Sequence, residues 1–308
     1  MQKKNVTLGI FSALVCEVIF GFSFLFTKQA TTLTTPLTLL SWRFLVAFAS
    51  ISLLKVLGIL QIDFKGKSLR PLLLISFLAP VVYFIGEVVG VSLTTTAESG
   101  TMIACIPIVT VLFAAKILKE VPSRTQLMGF GIATLGVIGV VLSKSNGFET
   151  SLNPLGYASL FIAVTAYGLF AVLSQRLTEF NSAEKTFVMM LVGAIVFTTI
   201  ACIEQVAAGT LRTYLLLPLQ NLDFLISILY LGLGSSVIAF LFYNTALHHL
   251  GASRTASFAG LTTIITVLAG VVLLKESFSY LQGAATILVL LGVYLANSKP
   301  GTQKTDSL

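Results

Sequence analysis

Along most of the chain, apolar residues run unbroken for about 20 positions at a time, and short clusters of charge, proline and glycine separate the runs. At about 1.5 Å per residue such a run crosses the ~30 Å hydrocarbon core of a bilayer as a helix. Reading from break to break predicts helices near 7–27, 36–57, 70–93, 96–117, 124–143, 154–176, 185–207, 223–246, 250–273 and 278–297. In lipid each backbone donor and acceptor needs a partner within its own segment, and the alternation of barrel strands is absent. The expected fold class is therefore all-α integral membrane, with ten transmembrane helices. The first run, Leu8 to Phe26, is longer than a signal-peptide core and no small-residue cleavage site follows it, so it is expected to stay as the first helix.

Composition agrees: 10% of residues are charged, 56% are hydrophobic and the mean hydropathy is +0.97, whereas a soluble domain carries roughly a quarter charged residues. The net charge of +7 lies in connectors rather than in one patch with interleaved aromatics, which argues against nucleic acid as a partner. With a cytoplasmic N-terminus, one side of the bilayer holds Lys3, Lys4, Lys55, Lys65, Lys67, Arg70, Lys116, Lys119, Arg124, Arg176, Lys185, Arg254, Lys299 and Lys304. The other side holds only Lys28, Lys144, Arg212 and Lys275. That bias places both termini in the cytoplasm of a multi-pass plasma-membrane protein. Cys16, Cys105 and Cys202 lie far apart inside apolar runs without metal-ligand spacing, so neither a metal nor a cofactor is expected.

The chain repeats itself. Lys119-Glu120, Gln126 and Gly136-Val137 recur as Lys275-Glu276, Gln282 and Gly292-Val293, always 156 positions later, and Thr110-Val111-Leu112 recurs as Thr266-Val267-Leu268 at the same offset. Leu8-Gly9, Ser12 and Phe20-Gly21 match Leu155-Gly156, Ser159 and Tyr167-Gly168 at an offset of 147. The expected organisation is one five-helix repeat over 1–147, a second over 148–299 and a polar cytoplasmic tail over 300–308. Five is odd, so the second copy enters the membrane from the opposite side, and the two repeats are inverted. Secondary carriers use this symmetry to expose a midplane site alternately to either side. Thr96, Gly100 and Ala104 on the fourth helix, and Ala252, Ala256 and Gly260 on the ninth, are small residues at four-residue spacing, expected to form helix-packing seams that either only hold the helices together or also slide during exchange.

These residues resemble the drug/metabolite transporter superfamily, EamA-type branch. The resemblance rests on Phe20-Gly21, Phe24 and Lys28; on Pro36 and Trp42-Arg43-Phe44; and on Ala97 through Lys119-Glu120 to Gly136. In the second half it rests on Tyr167-Gly168, Tyr243-Asn244-Thr245-Ala246-Leu247, Gly251-Ala252 and Lys275-Glu276. It implies transport of small metabolites, often export, through a cavity lined by helices one, three, four, six, eight and nine. Two departures stand out. Phe20 replaces a frequent Trp, and Thr262-Thr263 stands where the fourth helix has Ile106-Pro107, so the ninth helix is expected to lack a break.

A charge at a helix centre costs about 2.5 to 3.5 kcal/mol on insertion scales, which makes the few present informative. Glu17 falls about 15 Å along the first helix, near the midplane, and is the leading candidate for a substrate or proton site. Arg43 and Glu87 both fall about 10 Å below the outer surface, where they either pair with each other or bind an ionised substrate group. Glu87 also matches a position that is often acidic in the family it resembles. Tyr83, Tyr167 and Tyr243 with Asn244 offer apolar bodies with polar tips, suited like Phe24 to amphipathic solutes such as amino acids. Glu204 and His248-His249 sit near helix ends and are expected to reach water.

Lys65-Gly66-Lys67-Ser68 ends like a phosphate-binding loop, but the first glycine is replaced by Gln61 and no strand precedes it. No catalytic carboxylate pair or metal spacing lies inside a span, so no enzyme is expected. The leading reading is a secondary active exporter of small metabolites with protons as a coupled partner. The rivals are an exchanger of phosphorylated or nucleotide-linked solutes and a scaffold or sensor that transports nothing.

Overall fold

The computed structural model describes residues 5–117, 120–121, 123–143, 153–256, 258–297 and 302–303. Lys3, Lys4, Lys119, Lys144, Lys299, Lys304 and most of the 300–308 tail lie outside the described residues. Helices one to three span Val6–Thr31, Pro36–Val56 and Arg70–Leu93, and helix four runs as Thr96–Ile103 then Ile106–Ile117. Helices five to eight span Arg124–Ser143, Pro154–Arg176, Ser182–Ala207 and Leu222–Leu250. Helix nine runs as Ala252–Ala256 then Ala259–Val272, and helix ten spans Tyr280–Asn297. A short helix, Leu211–Gln220, precedes helix eight, and Glu120–Val121 pairs antiparallel with Thr302–Gln303.

Among the described residues, 8 helices are long and apolar enough to cross a membrane; helices five and ten are apolar over the shorter stretches Arg124–Val140 and Tyr280–Leu295. Leu74, Leu135, Ile203 and Leu268 stand exposed on the outside of the bundle, as a lipid solvent allows. Apart from that two-residue strand pair, the described residues form a helical, multi-pass membrane protein.

Helix starts follow local chemistry. The Thr35 hydroxyl accepts from the Thr38 amide ahead of Pro36, and Asn153 does the same for Gly156 ahead of Pro154. Asn181 with Glu184, and Thr95 with Glu98, form capping boxes. At the end of helix eight the chain reverses at Gly251 with φ 85°, a left-handed conformation that a side chain would strain.

Small residues set the pairing of helices. Gly21 of helix one meets Ile265 of helix nine, and Gly168 of helix six meets Val109 of helix four. Gly136 of helix five lies on Val289 of helix ten, and Gly292 of helix ten lies on Ala133 of helix five. Helix one also packs on helix eight, helix three on helix six and helix two on helix seven. Each contact swaps van der Waals packing against lipid for closer packing against protein.

Among the described residues, four helices are irregular. Helix three departs from helical geometry at Ala79 (φ −135°, ψ 112°), ahead of Pro80, which has no amide hydrogen to donate. Helix eight widens over Tyr230–Ile238. In helix four, the Cys105 amide bonds Met102 O and the Ile108 amide bonds Cys105 O, tight turns that break the helix. Helix nine repeats this device: the Phe258 amide bonds Thr255 O and the Leu261 amide bonds Phe258 O. The expectation that helix nine lacks a break is thus corrected, because the tight turn, rather than a proline, makes the interruption.

Candidate functional site

The irregular stretches converge on one buried cavity of about 30 Å³. Helix one contributes Glu17, Phe20, Ser23 and Phe24; helix two Arg43; helix three Tyr83, Phe84 and Glu87; helix four Ile103 and Ile106. Helix six contributes Tyr167; helix eight Ser235, Phe240 and Tyr243; helix nine Ala256, Ala259 and Thr262. Helix two therefore joins the expected lining helices, through Arg43. The space holds a water or two, far below the ~300 Å³ of a typical ligand pocket, so the site is closed around itself.

Three side chains that can carry charge near neutral pH sit in this wall. Glu17 is 5% exposed, and Arg43 and Glu87 are 1% exposed each. The Arg43 Nε donates to Ser236 Oγ at 2.9 Å and its Nη2 donates to Ser235 Oγ at 3.0 Å, both in the widened stretch of helix eight. Its guanidinium lies over the Phe84 ring, 4.1 Å from the centroid. Arg43 Nη1 and Glu87 Oε2 are buried without a hydrogen-bond partner. Of the two alternatives for Arg43 and Glu87, the direct bridge is not formed: the two side chains share the cavity without an ion pair, because the serine hydroxyls and the Phe84 face hold the guanidinium. Glu17 accepts from the Thr262 hydroxyl at 2.5 Å and, among the described residues, has no cationic partner.

Aromatic rings fill the rest. Tyr83 lies 4.8 Å from Tyr167, Tyr167 lies 5.3 Å from Tyr243, and Phe20 lies 5.3 Å from Phe240, centroid to centroid. The wall is apolar and ring-lined, with one cation and two carboxylates set at separate points.

Seven of the eight residues proposed for substrate contact, Glu17, Phe24, Arg43, Tyr83, Glu87, Tyr167 and Tyr243, meet in this cavity. Asn244 does not. It lies one position past Tyr243, about 100° round helix eight, and its Nδ2 donates to Thr186 Oγ1 of helix seven at 3.0 Å. The seams divide as well. Thr96 and Gly100 face helix nine, where a Cβ on Gly100 would lie 2.7 Å from the Thr266 side chain. Ala104 instead packs with Ala133, Val289 and Val293 of helices five and ten, Ala256 lines the cavity, and Gly260 has ordinary room beside Leu290. Sequence reasoning missed Ser235, Ser236, Phe84 and Phe240, and noted Thr262 only as a departure; adjacent hydroxyls within an apolar run were the available signal.

Beyond Lys28 a second, wider recess of about 490 Å³ is lined by Lys28, Gln29, Thr32, Leu33, Asp223, Leu274 and Glu276. Lys28 Nζ donates to the carbonyls of Val91 (2.9 Å) and Thr94 (2.6 Å), and Glu276 accepts from the amides of Thr96 (2.9 Å) and Ala97 (3.2 Å).

With this arrangement in view, the sequence matches the EamA-like transporter family over residues 7–142 and again over 154–298. The chain belongs to that family. Among its relatives, the Bacillus subtilis protein named Uncharacterized transporter YcxC is 31% identical over 299 residues, covering 96% of this chain and 95% of its own. The Escherichia coli protein named Uncharacterized inner membrane transporter YedA is 26% identical over 305 residues, covering 95% and 94%. A solved crystal structure shares the fold of this EamA-like transporter with a TM-score of 0.64 at 17% identity, over 94% of this chain and 96% of the other. The two family matches together contain every residue that lines the cavity.

Proposed function

We propose that this EamA-like transporter is a secondary active carrier that exports small amphipathic metabolites, amino acids among them, by alternating access. In this reading ten helices form two inverted five-helix repeats, 1–147 and 148–299, in the cell membrane with both termini cytoplasmic. The observation that carries the substrate reading is a free cationic donor, Arg43 Nη1, and a free carboxylate oxygen, Glu87 Oε2, buried in one ring-lined cavity. Each of these two atoms is costly to bury until a water or a ligand pairs it, and a ligand that pairs both displaces that water. A solute with a carboxylate, an ammonium and an apolar body answers all three features.

Support for the inverted repeats comes from contact symmetry. Exchanging helices one to five for six to ten turns the one–nine contact into six–four and the one–eight contact into six–three, while two–seven and five–ten map onto themselves. Thr96 and Gly100 against helix nine form the seam that slides. Glu17, lacking a cation, is the proton site that couples export to a pH gradient. Efflux and uptake of labelled amino acids and other small metabolites in proteoliposomes, with and without a pH gradient, tests the proposal. Movement of none of them would overturn it in favour of a scaffold.

A further inference from the structure

Three threonines on helix nine reach across to neighbouring helices. Thr262 Oγ1 lies 2.8 Å from the Glu17 carbonyl oxygen and 2.5 Å from Glu17 Oε2. Thr263 Oγ1 donates to Gly100 O at 3.0 Å, and Thr266 Oγ1 donates to Gly21 O at 3.0 Å. Among the described residues, no threonine makes such a tie at the matching crossing of helices four and six. Thr110, the counterpart of Thr266, bonds Ile106 O on its own helix at 2.8 Å. The counterparts of Thr262 and Glu17 are Ile106 and Val164, which cannot hydrogen-bond. The polar pair is confined to one of two equivalent crossings, so packing alone does not demand it.

A hydroxyl carries a single hydrogen. Thr262 therefore cannot donate fully to both the Glu17 carbonyl and the Glu17 carboxylate. Both contacts are satisfied together when Glu17 is protonated: Oε2–H donates to Thr262 Oγ1, and the threonine hydrogen goes to the carbonyl. When that proton leaves to water in the cavity, the carboxylate takes the threonine hydrogen in a charge-assisted bond about twice as strong as a neutral one, and the carbonyl tie opens.

We propose that Thr262 is the positioning residue through which gain or loss of the Glu17 proton moves helix nine against helix one. This rests on the reading of Glu17 as the proton site. The other titratable and charged groups facing Glu17 are Arg43 from helix two, Tyr83 and Glu87 from helix three, Tyr167 from helix six and Tyr243 from helix eight, with Cys16 beside it on helix one. Helices four and nine add no titratable side chain to the cavity wall. The hydroxyl is thus the link that helix nine has to the proton.

The test is hydrogen–deuterium exchange of the full chain in lipid nanodiscs, following peptides within 259–272 from about pH 5.5 to about pH 8.5 after correction for intrinsic exchange. Wild type should show a step in helix-nine protection that Glu17→Gln abolishes. Thr262→Val, which keeps the shape and removes the hydroxyl, should flatten the step, while Thr262→Ser should restore it. Thr262→Ala is the second hydroxyl-less variant should valine fail to fold, and it should also be flat. A step retained in the hydroxyl-less variants but lost in Glu17→Gln overturns the role of Thr262 alone. A step unchanged in Glu17→Gln, or absent from wild type, overturns the proton reading of Glu17 and the Thr262 tie with it.

Discussion

Replacing Arg43 with glutamine and comparing two solutes separates the proposed carboxylate recognition from the structural roles of that residue. The guanidinium loses two serine bonds and its place over Phe84, worth about 0.5–2 kcal/mol for the ring contact. The freed hydroxyls of Ser235 and Ser236 can turn to carbonyls one turn back on helix eight, and relief of a buried charge offsets the rest. Stability should therefore change little. Recognition should not: a hydrogen bond from a charged donor contributes about 1.5–3 kcal/mol, or roughly 10- to 150-fold in kcat/KM. The assay is proteoliposome exchange of an apolar amino acid against the matching amine without its carboxylate. Arg43→Gln should depress the amino acid by that factor and leave the amine nearly untouched, while Glu87→Gln should do the reverse for a solute with a carboxylate and no amine. An equal fall for both solutes in Arg43→Gln would refute the assignment of Nη1 to a substrate carboxylate.

Three further outcomes follow from packing and capping. Gly136→Leu places a Cβ 2.7 Å from the Val289 backbone nitrogen, and overpacking at the helix five–ten crossing should cost about 1–3 kcal/mol, read as a lowered Tm; an unchanged Tm contradicts the crossing. Glu184→Ala removes the 2.6 Å ion pair with Lys67 and the bonds from the Asp63 and Asn181 amides, so trypsin should cut faster at Lys65 and Lys67; wild-type cutting rates would show the clamp to be idle. Asn244→Ala should lower stability by about 1 kcal/mol through the lost Thr186 bond while leaving substrate preference alone, and altered preference would put Asn244 back in the cavity.

The helix frame was readable because hydrophobic length and caps speak locally. The Asn181-x-x-Glu184 box marks Ser182 as the start of helix seven, although the apolar run alone suggests 185. Glu17, Arg43 and Glu87 were readable as candidates because charges in lipid are scarce. Their partners were not. Whether Arg43 meets Glu87 or Ser235 depends on how the widened stretch of helix eight turns its hydroxyls, a tertiary matter that spacing does not encode. The rotation that sends Tyr243 inward and Asn244 toward helix seven is set by helix packing, and hydropathy treats the two positions alike. The break in helix nine escaped notice for the same reason: a tight turn at Phe258 leaves no proline in the sequence.

A cavity of about 30 Å³ cannot admit an amino acid, so one end of the bundle must part, and the charged ties at the Lys28 end are where parting can be controlled. Glu276 receives two amides at the start of helix four, while Lys28 holds the carbonyls that end helix three. Together they bind the three–four connector to helix one and to the segment after helix nine. Glu276→Gln removes the negative charge from a helix N-terminus and turns a donor NH₂ toward one of the two amides, a loss of about 1–3 kcal/mol. That free energy shifts the balance between tied and parted ends by roughly 5- to 150-fold. Ser23, buried at the cavity wall on the Lys28 side of Glu17, reports the shift as Ser23→Cys in a chain with Cys16, Cys105 and Cys202 changed to alanine. A membrane-impermeant maleimide applied to the Lys28 side of sealed vesicles should label this cysteine faster by that factor when Glu276→Gln is added. Equal rates with and without Glu276→Gln would mean that the carboxylate only caps helix four and that the end opens by some other contact.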